Sequence, residues 1–369
     1  MAHIAKLIQC SNLGGMEKCA CDSMLHLQPL GHRFEILTPR PFGLGRKLLE
    51  GIDPHVQDHV YCGKYGWRSH KSFVSQVARK TERCSHAWIT GTDIASLRAC
   101  ATLKLPTVLA HHFTHGEGFH NVARWKLFYK LGCRNVRLIT YPTQFTRNEA
   151  ARLAPSLRSK MEVVRYHFDT PISPDEKDTE KMAARKYLGL PQDRLIIGNA
   201  GWLVKRKRWD VFLAVAAAVV AKRKDALFVV CGGGPEEAAL RAFVKNSGLE
   251  EHVIFTGWKE NVSDYLTAFD IMLFNSDADT MPRAPCEAAG HGCVVVASLL
   301  QGGLDEFITH EENGFLIRNH DVNKLADAIH RVAGDADLRE KWRSAAAITL
   351  KDKFSIGKSI ELYNAFFSS

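Results

Sequence analysis

Along this chain, short runs rich in Val, Ile, Leu and Ala alternate with polar, glycine-bearing turns and with stretches whose apolar positions recur at helical spacing. Runs at residues 3–9, 88–90, 107–110, 138–141 and 162–166 read as strands, as do 195–200, 227–231, 253–256, 270–274 and 293–297. Residues 146–154, 180–188, 321–333 and 336–350 carry helical patterning between them. This strand, loop, helix, strand rhythm is that of a parallel α/β sheet. It is interrupted at 169–179, DTPISPDEKDT, a Pro- and Asp-rich stretch that reads as an interdomain linker. A chain of 369 residues is long for one core and comfortable for two domains of about 150–200 residues, here 1–172 and 173–353.

Composition narrows the classes. Hydrophobic residues at 46% and charged residues at 24% are ordinary for a soluble globular protein. The ten Cys are scattered apart from Cys19-Ala20-Cys21, so a disulfide scaffold or zinc ribbon is not indicated and free thiols in a reducing cytoplasm are expected. The N-terminus enters a strand without a signal-peptide pattern, and the longest apolar run, 211–221, falls well short of the roughly 20 residues of a membrane span. A cytoplasmic protein, or one peripheral on the inner face of a membrane, is expected.

The net charge of +9 is uneven. Residues 1–170 hold 24 Lys and Arg against 12 Asp and Glu, a balance of +12, whereas 171–369 hold 25 against 28, a balance of −3. The first half therefore faces something anionic. With no zinc finger, RRM signature or helix-turn-helix pattern, nucleic acid is not the expected partner. Residues 122–137, VARWKLFYKLGCRNVR, hold five cations and no carboxylate. At 100° per residue Lys126, Lys130 and Arg134 take one side and Trp125, Phe128 and Tyr129 the other. Such a helix can lie on an anionic membrane, or be a solvated basic face over a buried apolar one.

The candidate chemistry gathers at strand ends, where open α/β sheets bind ligands. After strand 270–274 a loop carries Asp277, Asp279 and Thr280, and the helix opening near Pro282 carries Glu287. A folded-back loop could present both carboxylates to one ligand, with helix N-terminal amides nearby for an anion. The turn Gln301-Gly302-Gly303-Leu304-Asp305-Glu306 offers bare backbone N–H groups for a phosphate or sugar hydroxyl. Gly14-Gly15, at a strand-to-helix junction, suits a phosphate or merely a tight turn. Lys205 to Arg208, four consecutive cations before a helix, can clamp a pyrophosphate. His111, His112, His115 and His120 suggest a metal only if geometry converges. Asp277-Ala278-Asp279 spells a metal motif, but the same triplet recurs as Asp335-Ala336-Asp337 at a plain helix junction, so no metal is expected.

The order and spacing of Asp279-x7-Glu287, Ala288-Ala289-Gly290, Val294–Ser298, Gly302-Gly303-Leu304-Asp305-Glu306 and Asn313-Gly314-Phe315-Leu316 resemble the GT-B glycosyltransferases, specifically the large retaining group called family 4. The segment 30–38 and the Gly-Gly-x-Glu of Gly14 to Glu17 are also similar to that family. The resemblance implies an α/β fold of two Rossmann-like domains facing each other across a cleft, with 354–369 as a closing helix that returns to the first domain. It implies a nucleotide-diphosphate sugar as donor substrate and no cofactor. A glycan, lipid-linked or small-molecule acceptor would sit against the basic first domain, with irregular acceptor-side loops at 39–65.

By the same resemblance Asp279 holds the sugar, Glu287 the ribose, Lys207 with Arg206 or Arg208 the phosphates, and Gly14 and Gly15 face the donor phosphate and transferred sugar. Gly257, Trp258 and Val262 line the base, and Thr280, Met281 and Pro282 complete the donor set. His112 stands where the family has a strand-end His facing the sugar, with His111 as the close alternative. The nucleophile attacks from the leaving-group face, so no enzymic nucleophile is expected. Three positions depart from the pattern: Asp279 replaces Glu, Trp202 replaces an Arg of the phosphate clamp, and Arg208 replaces a Gly. These departures keep open a non-catalytic carbohydrate- or partner-binding protein, and a sugar-nucleotide epimerase is the other alternative.

Overall fold

Strands whose residues are nearly all apolar on both faces must be covered on both faces, and parallel sheets flanked by helices satisfy that demand. The computed structural model describes residues 1–8, 14–37, 49, 51–52, 67–116 and 118–369. The chain divides into two compact units, Met1–His167 with Ile356–Ser369, and Phe168–Ser355. The expected irregular segment 39–65 falls, apart from Leu49, Gly51 and Ile52, outside the described residues.

Among the described residues the first unit holds six parallel strands, β1 (His3–Leu7), β2 (Arg33–Leu37), β3 (His86–Thr90), β4 (Thr107–Ala110), β5 (Val136–Tyr141) and β6 (Met161–Val163), in the order β2-β1-β3-β4-β5-β6. One face packs against the helices Ile94–Thr102 and Phe119–Gly132 through Leu97, Cys100, Trp125, Phe128 and Tyr129. The other face, with Ile4, Ile36, Trp88 and Val108, is covered by Gly15–Leu27 and by the last helix, Gly357–Phe367, whose Tyr363 and Phe367 lie on Trp88. The C-terminal helix thus completes the first unit's core. Strand β6 is shorter than the expected 162–166, and Tyr166 beyond it turns its hydroxyl to His112.

The second unit holds β7 (Leu195–Ala200), β8 (Ala226–Cys231), β9 (Val253–Gly257), β10 (Ile271–Phe274), β11 (Ala278–Asp279), β12 (Val294–Ser298), β13 (Gln301–Gly302) and β14 (Gly314–Ile317). Six form a parallel sheet, β14-β12-β10-β7-β8-β9, while β11 and β13 pair separately. Helix Trp209–Lys222 is apolar almost all round and sits in the core with Phe228, Ile271, Val296 and Ile329. Each such fully buried side chain contributes about 1.5–3 kcal/mol relative to exposure.

The linker reading of 169–179 holds for its first part, a largely exposed stretch beside the boundary between the units at 167/168, and needs correction from Lys177 on. Helix Lys177–Leu188 begins inside it. Lys177 is fully buried, its ammonium donating to the carbonyls of Thr267 (2.6 Å) and His291 (2.7 Å). A polar, Pro-bearing stretch resembled a linker because its one buried cation is matched by backbone oxygens distant in sequence. Among the described residues no helix is long and apolar enough to cross a membrane.

Candidate active site

In the second sheet β7 and β10 lie side by side although β8 and β9 intervene in the chain. The chain's progress across the sheet reverses there, so the loops leaving their carboxyl ends diverge and open a crevice for ligand. Those loops carry the residues singled out by spacing. Lys207 Nζ lies 2.7 Å from Asp279 Oδ2, and Arg206 Nη1 lies 3.5 Å from the same oxygen while also donating to the Ala278 carbonyl. Arg208 Nη1 reaches Asp277 Oδ1 at 3.1 Å and its guanidinium also grips Asp210. Backbone ties hold the two loops together: the Asp277 amide and the Ser276 hydroxyl both donate to the Arg206 carbonyl.

Arg208 is the N-cap of helix Trp209–Lys222 and adopts φ 47°, ψ 47°. That left-handed conformation costs a residue with a Cβ about 1–2 kcal/mol, whereas glycine takes it readily. Here the carboxylates of Asp210 and Asp277 hold the side chain in place.

Asp279 lies in the short strand β11, paired in parallel with β13. Gly302 makes this pairing feasible, because a Cβ there would meet the Asp279 carbonyl oxygen at 1.6 Å. The Gly303 amide donates to the Thr280 carbonyl and the Gln301 amide to the Asp277 carbonyl. The Gln301 and Gly303 amides are thus taken up by the Asp279 loop and that of Glu306 by the Gly303 carbonyl, so the expectation that the 301–306 turn lends bare amides to a ligand is corrected for those three residues. Thr280, Met281 and Pro282 are buried behind that loop, and Pro282 caps helix Arg283–Gly290. Glu287, one turn into this helix, takes a 3.0 Å bond from Arg283 Nε. Burial raises the Cys286 thiol well above its usual range, and the nearby Glu287 and Asp279 carboxylates push the same way.

Further along the same sheet edge, Trp202 after β7 and Trp258 after β9 pack together with centroids 4.6 Å apart and ring planes at 36°, both partly exposed. Gly257 takes φ 71° just before Trp258, and Val262 caps helix Ser263–Ala268. Trp202, the departure from the clamp arginine, therefore supplies an aromatic surface in place of a charge.

The first unit holds the other singled-out residues. Gly14 caps helix Gly15–Leu27, and the Glu17 side chain folds back to the Gly14 amide, an arrangement that would place Glu17 Oε2 at 2.6 Å from a Cβ on residue 14. One amide of the Gly14-Gly15 turn is thus already satisfied by the protein's own carboxylate, whose pKa burial raises.

His111 and His112 follow β4 and diverge. His111 is fully buried, stacked on His115 at 5.0 Å. His115 in turn meets Glu149 at 3.3 Å and the Tyr129 hydroxyl at 2.7 Å. His112 is half-buried, its Nδ1 2.8 Å from the Tyr166 hydroxyl. Burial of its ring, and then the Lys6 ammonium, depress His112 to about 3, so its imidazole stays neutral at physiological pH. Lys6 is itself buried, 2.5 Å from Thr90 Oγ1 and over the Trp88 ring.

Among the described residues no three His, Cys, Asp or Glu converge as a set that could hold a metal ion. Asp335, in the second Asp-x-Asp triplet, caps helix Ala336–Lys353 through the Leu338 amide. Tyr166 and Lys6 were not singled out as site residues by sequence; Trp258 was, as a residue lining the base, while Trp202 left a trace only as a departure from a pattern.

Two family models match the chain: "Glycosyl transferases group 1" over residues 180–348 and "Glycosyltransferase Family 4" over residues 13–170. Among similar proteins, the lipopolysaccharide core biosynthesis glycosyltransferase LpsD of Rhizobium meliloti is 33% identical over 172 residues, 47% of this chain and 49% of that protein. The poly(ribitol-phosphate) alpha-N-acetylglucosaminyltransferase of Staphylococcus aureus is 27% identical over 178 residues, 48% of this chain and 36% of that protein. The chain thus spans about half the length, or less, of these relatives. Among solved structures, Anabaena Alr3699/HepE in complex with UDP and glucose superposes with a TM-score of 0.85 at 20% identity, covering all of both chains. S. aureus TarM in complex with Fondaparinux, alpha-GlcNAc-glycerol and UDP does so at 0.77 and 14%, again over both full chains.

Proposed function

The chain belongs to the group 1 glycosyl transferases of GT-B fold, and from that premise we propose that it is a retaining, metal-independent glycosyltransferase. It moves a sugar from a nucleotide-diphosphate donor to a glycan, lipid-linked or small-molecule acceptor. The observation that carries this reading is the Lys207–Asp279 pair at the β7/β10 crevice, flanked by Arg206 and Arg208.

When the sugar's C1–O bond to the diphosphate breaks, negative charge grows on the leaving oxygen. Fixed cations at that place stabilise it without reorganising, and Lys207, Arg206 and Arg208 are of the required type. The Asp279 carboxylate, held by Lys207, accepts from sugar hydroxyls, and Glu287, held by Arg283, accepts from the ribose. The acceptor oxygen forms its bond to C1 on the face the diphosphate leaves, and the acceptor proton passes to the departing diphosphate. His112 of the first unit, neutral and braced by Tyr166, is a hydrogen-bonding group rather than a charge. The relatives named above are glycosyltransferases, and UDP accompanies the two solved structures, which favours a nucleotide-sugar donor.

The test is incubation with a panel of UDP-, GDP- and ADP-sugars, with and without saccharide, small-molecule and lipid-linked acceptors. Release of nucleoside diphosphate with a glycosylated product supports the proposal. Interconversion of the donor sugar, or binding without turnover, overturns it.

A further inference from the structure

Helix Phe119–Gly132 buries Trp125, Phe128 and Tyr129 in the first unit's core. Its outward arc is not simply basic. Leu127 and Leu131 are 57% and 53% exposed and Phe119 is 82% exposed, while Arg124, Lys126 and Lys130 are exposed among them. At about 100° per residue, Leu127 and Leu131 occupy the middle of that arc, with Lys126 and Lys130 on one flank and Arg124 on the other. Phe119 stands at the helix's start on the lysine flank, so large apolar groups lie in water at the centre of a cationic face.

We infer that this helix docks the protein, in the plane of the surface, on an anionic lipid bilayer. The apolar centre would enter the boundary between headgroups and acyl chains while the long cationic side chains reach back to the phosphates, the arrangement such helices use at membranes. Charge selects this occupant over a second copy of the chain. Residues 118–148 hold six Lys and Arg and no Asp or Glu, so a self-pairing of this face would oppose cations to cations. The inference stands apart from the donor chemistry and does not depend on it.

The test is co-sedimentation of the full chain with vesicles of phosphatidylcholine and phosphatidylglycerol in about a 7:3 ratio, against pure phosphatidylcholine. The wild type binds the anionic vesicles and not the neutral ones. Lys126→Ala with Lys130→Ala lowers the partition coefficient about 30-fold, the conversion of ~1 kcal/mol per cation near such a surface. Leu127→Ser with Leu131→Ser lowers it about tenfold or more. All four positions are exposed, and far-UV circular dichroism verifies that each variant is folded. Equal binding to both vesicles, or undiminished binding by both variants, overturns the inference. So does a lipid-free dimer that the two leucine substitutions dissociate, which would make the face a self-association surface.

Discussion

On the proposed reading, Asp279, a carboxylate one methylene shorter than glutamate, serves a sugar hydroxyl while held 2.7 Å from the Lys207 ammonium. With the shorter reach, either the loop lies closer to the sugar or a bridging water spans the distance at about 0–2 kcal/mol of ordering entropy. Asp279→Ala is therefore expected to lower kcat by roughly 100-fold or more, the scale of losing a group that stabilises the transition state, whereas Asp279→Glu keeps or improves it. Steady-state rates of the two variants check this. An undiminished rate in Asp279→Ala would remove Asp279 from the site. Arg208 makes a second prediction at this scale. In Arg208→Ala the left-handed strain stays and the ion pairs go, while in Arg208→Gly the strain goes too, so urea unfolding should find glycine more stable by about 1 kcal/mol. Equal midpoints would show that the backbone there relaxes. Both Lys207 and Asp279 were legible from order and spacing, although 72 positions separate them. Arg208's torsion and the Tyr166 brace on His112 were not, since a dihedral sign and a partner 54 positions away leave no local pattern.

Among the elements, the pairing of β11 with β13 does most to place the site, and it left no sign in the sequence. A Gly-Gly turn next to a helix suggests ligand-facing amides, yet Gly302 is small because the Asp279 backbone passes against it. Gly302→Ala should thus displace β11 and lower kcat at least about tenfold, since an ångström of misplacement is costly to catalysis. The melting temperature should move little, as the pairing spans two residues on each strand. A large loss of melting temperature with kcat per folded molecule unchanged would contradict this. The main strands were legible because their apolar runs are continuous, and their ends shifted by only a few residues. The linker misreading around Lys177 has the opposite origin: the carbonyls that receive its ammonium come from Thr267 and His291, far along the chain.

For the molecule as a whole, two halves of opposite charge balance were visible from composition, two parallel sheets from the strand rhythm, and the closing helix from resemblance. What composition could not tell is how many thiols are buried. Burial raises Cys84, Cys100, Cys133 and Cys231 to about 12, and raises Cys286 and Cys293 as well. Their folded pKa lies above the unfolded value, so the stability they confer is full below pH ~8.5 and is lost as pH rises toward 12. Each thiol contributes up to about 1.4 kcal/mol per pH unit in that window. Lys177, lowered to about 8 by burial, works in the other direction between about 8 and 10.5, but it is one group against six. The melting temperature is expected to fall steeply from pH 8 to 10, and less steeply in Cys133→Ala with Cys231→Ala. A flat or rising profile would contradict the burial.

The central claim is that the β7/β10 crevice of the second unit binds the donor's diphosphate through Lys207 and stabilises its departure. The most direct measurement is kcat of Lys207→Ala at saturating nucleotide sugar, with folding verified by circular dichroism. The account predicts a loss of about 100-fold or more, corresponding to roughly 3–4 kcal/mol of transition-state stabilisation. A folded variant that turns over at the parent's rate would contradict it.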